Sequence, residues 1–178
     1  MDYYKKLIYI PHVDRKDRVL GPVERWKAHR EGILHRGFTI GLLYKDFFVC
    51  QHRKHPVFGG FLDLTASSHP QYKNKTLQTH ENAVFQTLSR EWDLSQKDLD
   101  GEIKEKGKVY YRSSFGKYIE HEICYFFTAR VKKVPQVNYE FAYGFSLLTL
   151  SDLKDEKSPY VNTVAPWVKQ ALKENLFM

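Results

Sequence analysis

Cysteine is scarce in this chain, and no apolar run is long. Only Cys50 and Cys124 occur among 178 residues. Each lies in an apolar, strand-like stretch far from the other, so they suit buried reduced thiols rather than a disulfide framework, and no zinc-finger spacing exists. The apolar run near the N-terminus, Leu7-Ile8-Tyr9-Ile10, is far shorter than a signal-peptide core or a membrane span of roughly 20 residues. No membrane association is expected, and the chain is predicted to stay in the cytoplasm. Acidic residues are in deficit as well: 21 Asp and Glu stand against 28 Lys and Arg, a formal net charge of +7. That balance favours anionic partners, among them diphosphates, nucleotides, RNA and anionic membrane surfaces. The basic residues are scattered and no nucleic-acid module can be read, so no specific nucleic-acid partner is expected.

Neither repeats nor low-complexity segments break the chain. Its 42% hydrophobic and 28% charged residues are ordinary globular composition and exclude disorder. The 12 Tyr and 12 Phe point to aromatic-rich strands or an aromatic-lined pocket. The length suits one domain, residues 1–178, with a sizeable core around one sheet.

Leu7 to Val13 reads as a strand, followed by the turn-like Asp14 to Arg18, a second short strand from Val19 to Val23, and a short helix over Glu24 to Arg30. Phe38 to Leu43 and Phe47 to Gln51 flank Tyr44-Lys45-Asp46 as a hairpin. His52 to Lys75, with Gly59-Gly60 and two prolines, reads as mostly loop, and loops of that length in compact domains are often functional. Thr79 to Asp93 places Ala83, Val84, Leu88 and Trp92 at helical spacing. Strands are expected at Val109–Arg112, Ile119–Val131 and Glu140–Leu148. A terminal helix is expected over Thr163–Leu176, with Pro166 in its first turn. This order predicts an α/β sandwich, a mixed sheet flanked by helices.

The most informative local feature is Glu120-His121-Glu122-Ile123-Cys124-Tyr125-Phe126. Strand geometry puts Glu120, Glu122, Cys124 and Phe126 on one face, which runs from acidic to apolar. Two adjacent carboxylates entering a buried face repel each other and lose hydration, so they need a metal, a basic partner or a shared proton. Two solvated glutamates at a strand end are the competing reading. His29, His35 and His69 precede this strand, and imidazole with carboxylate is a reasonable shell for Mg²⁺, Mn²⁺ or Zn²⁺.

Several stretches together resemble type 1 isopentenyl-diphosphate isomerase, a branch of the Nudix superfamily. They are Asp14 to Gly21, Leu34-His35-Arg36-Gly37-Phe38, Ser68-His69-Pro70, Glu120-His121-Glu122-Ile123 and Pro166-Trp167, in that order along nearly the whole chain. The resemblance implies a Nudix-type α/β/α sandwich. It also implies that His29, His35, His69, Glu120 and Glu122 hold Mn²⁺ or Zn²⁺. Against the Nudix helix pattern G-x5-E-x7-R-E-U-x-E-E-x-G-U, the nearest match is Gln86-Thr87-Leu88-Ser89-Arg90-Glu91-Trp92-Asp93-Leu94. Only the last acidic position survives, as Glu91. In the isomerases that residue helps bind the Mg²⁺ that accompanies the substrate diphosphate.

Isomerisation moves a carbon–carbon double bond by protonating one carbon and deprotonating another, so two acid/base groups must face the substrate from opposite sides. The resemblance assigns one role to Glu122, with Tyr111 assisting, and gives Trp167 as the aromatic face for developing positive charge. The family's cysteine, two residues before His69, is Ser67 here. An aliphatic hydroxyl is a far weaker acid than a thiol of pKa ~8.5 and needs activation. For the diphosphate, Arg25 stands where a lysine is expected and Arg53, with Lys54 beside it, matches a second cation. The arginine expected on the helix falls at Gln86 or Thr87, which leaves one cation missing. The leading expectation is an isomerase acting on a small diphosphate. The alternatives are a Nudix pyrophosphohydrolase on a nucleoside diphosphate derivative and a non-catalytic diphosphate-binding domain.

Overall fold

The computed structural model describes residues 2–177. Its central element is β3 (His35–Tyr44), preceded by β1 (Tyr9–Val13), β2 (Val19–Glu24) and the helix α1 (Arg25–Glu31). β4 (Phe47–Arg53) and β5 (Ala66–Ser68) follow, then a small two-stranded ladder of β6 (Tyr72–Lys73) and β7 (Thr76–Leu77). After α2 (His80–Trp92) come β8 (Lys104–Phe115), β9 (Tyr118–Arg130), β10 (Ala142–Leu148), α3 (Leu150–Lys154) and α4 (Pro166–Lys173).

β3 is buried from Gly37 to Leu42, as a strand covered on both faces must be. Along one edge it pairs in parallel with β9, His35 opposite Glu122 and Thr39 opposite Phe126. Along the other it meets β1 at His35, β5 from Phe38 to Ile40, and β4 at Leu43 and Tyr44. β9 pairs antiparallel with β8, and β10 pairs antiparallel with β4. The sheet is therefore mixed. Alternation along β9 sends Cys124 and Phe126 into a cluster with Trp167 and Val168 of α4, and Phe127 into a second cluster with Val84, Leu88 and Trp92 of α2. Helices thus cover both faces, and the expected mixed α/β sandwich is present.

Three elements differ from their sequence expectations. β8 extends well beyond Val109–Arg112, because the ladder to β9 satisfies its backbone although only Val109 and Tyr111 are buried; its charged start, Lys104-Glu105-Lys106, carries no apolar alternation. The loop after β4 contains β5, three small residues held by their register on β3 and by Ala66 packing in the cluster under α2. The terminal helix begins at Pro166 and ends at Lys173, shorter than expected.

Asp63 ties this loop to the scaffold. Its Oδ2 accepts a hydrogen bond from Arg53 Nη1 at 2.6 Å, and its Oδ1 accepts one from Trp167 Nε1 at 2.8 Å. Asp63 and Arg53 are both buried. Removing one partner strands a buried charge at a cost of about 3–5 kcal/mol, whereas replacing both with apolar groups is far milder. Asp63→Ala should therefore lose about that much unfolding free energy in urea titration, and Arg53→Met combined with Asp63→Leu should recover most of it.

His80 opens α2 with its imidazole against the Tyr125 ring, centroids 4.3 Å apart, and its buried Nε2 has no hydrogen-bond partner. Burial first, then the nearby Arg36, pushes its pKa down to about 4. The folded state thus prefers neutral imidazole, so its contribution is intact above the unfolded value near ~6.5 and is lost as pH falls from there toward 4. Relative to His80→Phe, the wild-type protein should lose stability over that window, read as a divergence of urea midpoints with falling pH.

Candidate active site

Local structure brings His29, His35, His69 and Glu120 to one point with Glu122 beside them, whereas Glu91 is outside this group and is engaged by Arg90 and Gln51. Glu24 caps α1, its Oε1 and Oε2 accepting from the Trp26 and Lys27 amides at 2.7 and 2.6 Å. The helix ends at Gly32, whose left-handed φ of 64° is a conformation that suits glycine. That turn sends the chain into β3, so His29 in the last helical turn faces His35 at the strand's start. The His29 and His35 Nδ1 atoms each lie 2.7 Å from a backbone carbonyl, of Arg25 and Ile33 respectively. Nδ1–H donation fixes the tautomer and leaves both Nε2 lone pairs facing inward. β5 brings in His69, and β9 brings in Glu120 and Glu122.

Ligand atoms of His29, His35, His69 and Glu120 all lie within 4.8 Å of one another. His29 Nε2 is 3.3 Å from Glu120 Oε1, while Glu122 Oε1 is 3.2 Å from His35 Nε2 and 2.8 Å from His69 Nε2. His35 Nε2 and Glu120 Oε2 are buried without an aligned hydrogen-bond partner. So many inward lone pairs, with too few protons between them, suit a divalent cation. Burial holds His69 neutral, its pKa down at about 4 despite the hydrogen bond to Glu122. Burial also opposes ionisation of Glu122, but the His35 and His69 imidazoles beside it outweigh that penalty and hold the carboxyl well below the usual range.

The Glu122 carboxylate lies over Gly37 of β3, where an added Cβ would come within 2.6 Å of both its oxygens. Its Oε2 accepts a hydrogen bond from the Tyr111 hydroxyl at 2.6 Å, and burial raises that phenol well above its ordinary pKa. Ser67, Glu122, Tyr111 and Trp167 line the same cavity. Ser67 Oγ lies 2.7 Å from Thr39 Oγ1, which in turn lies 3.5 Å from Cys124 Sγ. Cys124 of β9 thus stands two hydrogen-bond steps behind Ser67, its thiol pushed well above its ordinary pKa by burial.

Arg25, Arg53 and Glu91 also line the cavity. Lys54 does not. It is exposed, its Nζ donates to the Tyr139 carbonyl at 3.0 Å, and it lines a neighbouring outer cleft of about 700 Å³ with Tyr143. No cation stands at Gln86 or Thr87, but one turn later Arg90 lines the cavity and pairs with Glu91 at 2.6 Å. Sequence reasoning passed over Arg90, although α2 periodicity puts it on the same face as Thr87 and Gln86. It also missed Tyr3, Tyr4 and His55 at the mouth and Thr39 inside. Their placement depends on how the N-terminal segment folds back: Arg25 Nη2 donates to the Tyr3 and Tyr4 carbonyls at 3.3 and 3.2 Å, and Trp26 Nε1 donates to the Tyr4 carbonyl at 2.8 Å.

A scan of protein-family models finds no match for the chain. Among curated proteins it is 24% identical over 166 residues to an isopentenyl-diphosphate delta-isomerase of Serratia proteamaculans, covering 91% of this chain and 88% of that one. It is 32% identical over 117 residues to an isopentenyl-diphosphate delta-isomerase of Photobacterium profundum, covering 62% and 61%. Its fold matches a crystal structure from Deinococcus radiodurans with a TM-score of 0.70 at 17% identity, over 96% of this chain and 99% of that one. It also matches a MutT Nudix hydrolase of Burkholderia pseudomallei with a TM-score of 0.56 at 17% identity, over 79% and 96%. In sequence the chain is similar to isopentenyl-diphosphate delta-isomerases, and its fold is that of a MutT Nudix hydrolase.

Proposed function

We propose that the chain is an isomerase-like enzyme that interconverts isopentenyl and dimethylallyl diphosphate by metal-assisted proton transfer in the cytoplasm. The observation that carries this reading is the shared cavity: Glu122, bonded to Tyr111, and the Ser67 hydroxyl line it beside the three-histidine cluster. No helix among the described residues is long and apolar enough to cross a membrane.

His29, His35, His69, Glu120 and Glu122 would hold Mn²⁺, Zn²⁺ or Mg²⁺, which when bound supplies positive charge that fixes the carboxylates and polarises what touches them. Glu122 exchanges a proton with one substrate carbon, with the Tyr111 phenol steadying its Oε2. Ser67, held by Thr39, serves the opposite carbon; as an alcohol it is a poor proton donor, so turnover is slow. Tyr111 and Trp167, ring centroids 5.8 Å apart, wall the hydrocarbon part and offer π density to positive charge. Arg25 and Arg53 face the diphosphate. The free space among these side chains is about 30 Å³, room for roughly two waters at ~10–15 Å³ each. Substrate therefore enters by displacing side chains at the mouth, where Tyr3 and Tyr4 stand.

The pyrophosphohydrolase alternative is weaker, because Glu91 is the one carboxylate of α2 in the cavity and Arg90 and Gln51 already engage it. A binding domain without turnover is separated by assay. Purified protein with isopentenyl diphosphate, Mg²⁺ and Mn²⁺ should form dimethylallyl diphosphate slowly, Ser67→Cys should raise the rate at least about tenfold, and Glu122→Gln should abolish it. No product from either the wild type or Ser67→Cys sinks the proposal.

The Gly37 contact yields a separate test. In Gly37→Ala the new methyl displaces the Glu122 carboxylate, not the backbone. The variant should keep its circular dichroism spectrum yet bind Mn²⁺ about 10–100-fold more weakly in calorimetric titration. Unchanged affinity would remove Glu122 from the ligand set.

A further inference from the structure

The cavity gathers Arg25, Arg53 and Arg90 in its lining. Arg53 is paired with Asp63, and Arg90 with Glu91 at 2.6 Å. Arg25 has no carboxylate within salt-bridge distance among the described residues; its Nη2 reaches only the carbonyls of Tyr3 and Tyr4. Arg25 and Arg53 are 3% and 5% exposed. The Nε atoms of all three, and Nη1 of Arg90, are buried without a hydrogen-bond partner. Buried N–H donors left unsatisfied are costly, and burial together with the nearby Arg90 works against the charge on Arg25. Convergent guanidinium groups with free donors fit a polyanion such as a diphosphate.

Glu91 is set up differently from a cation ligand. Its Oε1 accepts from Arg90 Nη2 at 2.6 Å and its Oε2 accepts from Gln51 Nε2 at 3.2 Å. Both oxygens are engaged by donors, and a guanidinium occupies the adjacent space. The residues around Glu91 therefore do not fit the Mg²⁺ that the family resemblance led us to expect there. We infer that Arg90 takes the place of that cation, so that this protein binds a diphosphate group through Arg25, Arg53 and Arg90 without a divalent ion between the phosphates and Glu91.

Arg90 is a binding residue in this account, whatever happens to the rest of the substrate. The inference rests on the cavity proposed above as the substrate site, yet its test reads the phosphate clamp alone, so it fails or stands separately from the isomerase assay. Inorganic pyrophosphate is titrated calorimetrically into the full-length protein, with the metal content of the histidine cluster measured beforehand, in Mg²⁺-free buffer and again with millimolar Mg²⁺. Binding in Mg²⁺-free buffer should equal or exceed that with Mg²⁺, because free Mg²⁺ competes for pyrophosphate. Arg90→Gln should weaken Mg²⁺-free binding about 10–100-fold, the range for a lost hydrogen bond to a charged group. Arg90→Lys, which keeps the charge and loses the fork, should fall between. Glu91→Gln should tighten binding, since it releases Nη2. The inference is overturned by binding that requires Mg²⁺ and disappears in Glu91→Gln, by no pyrophosphate binding at all, or by a folded Arg90→Lys and Glu91→Gln pair that both match the wild type.

Discussion

Burying two carboxylates one strand-repeat apart governs much of this molecule. Glu120 and Glu122 are each 5% exposed, and a buried pair of like charges is unstable without compensation. β3 supplies much of it. Its parallel register sets His35 opposite Glu122, and its glycine at Gly37 leaves room for that carboxylate to lie across the strand. α1 then presents His29 to Glu120, and β5 brings His69 onto Glu122. Three separate elements thus converge on the two carboxylates of β9.

Positive charge is concentrated in the lining of the same cavity, at Arg25, Arg53 and Arg90. Asp63 anchors Arg53 and Trp167 together, and the N-terminal segment closes over Arg25 through backbone carbonyls rather than carboxylates. One cavity thus holds two kinds of chemistry: the lone pairs of the histidine and glutamate cluster and the N–H donors of three guanidinium groups. Tyr111 and Trp167 line the same cavity, their ring centroids 5.8 Å apart.

The elements legible in the sequence were those with a strong local signal. α2 was read from Ala83, Val84, Leu88 and Trp92, and β9 from its alternation, because both patterns are set by how a single helix or strand faces one core. β5 was not legible, since three small residues form a strand only when β3 offers free backbone groups to them. The full length of β8 was hidden for the same reason: charged residues join a ladder when the partner strand provides it. At the site, Arg25, Arg53 and Trp167 were identified by resemblance and lie in the cavity, while Lys54 points into a neighbouring cleft because β4 ends at Arg53 and the chain turns outward.

By itself the sequence determined the alternation that buries Glu120 and Glu122 on one strand face, the ordered histidines before them, and the serine at position 67. Those follow from period and composition, which are local. Only the tertiary structure decided that Thr39 joins Ser67 to Cys124, that Gly37 makes room for Glu122, and that Arg90 covers Glu91 instead of leaving it open to a cation. The first two depend on distances between chain segments far apart in sequence, set by strand register and helix packing; Arg90 and Glu91 are neighbours, and there the long-range contribution is the Gln51 bond from β4 to Glu91.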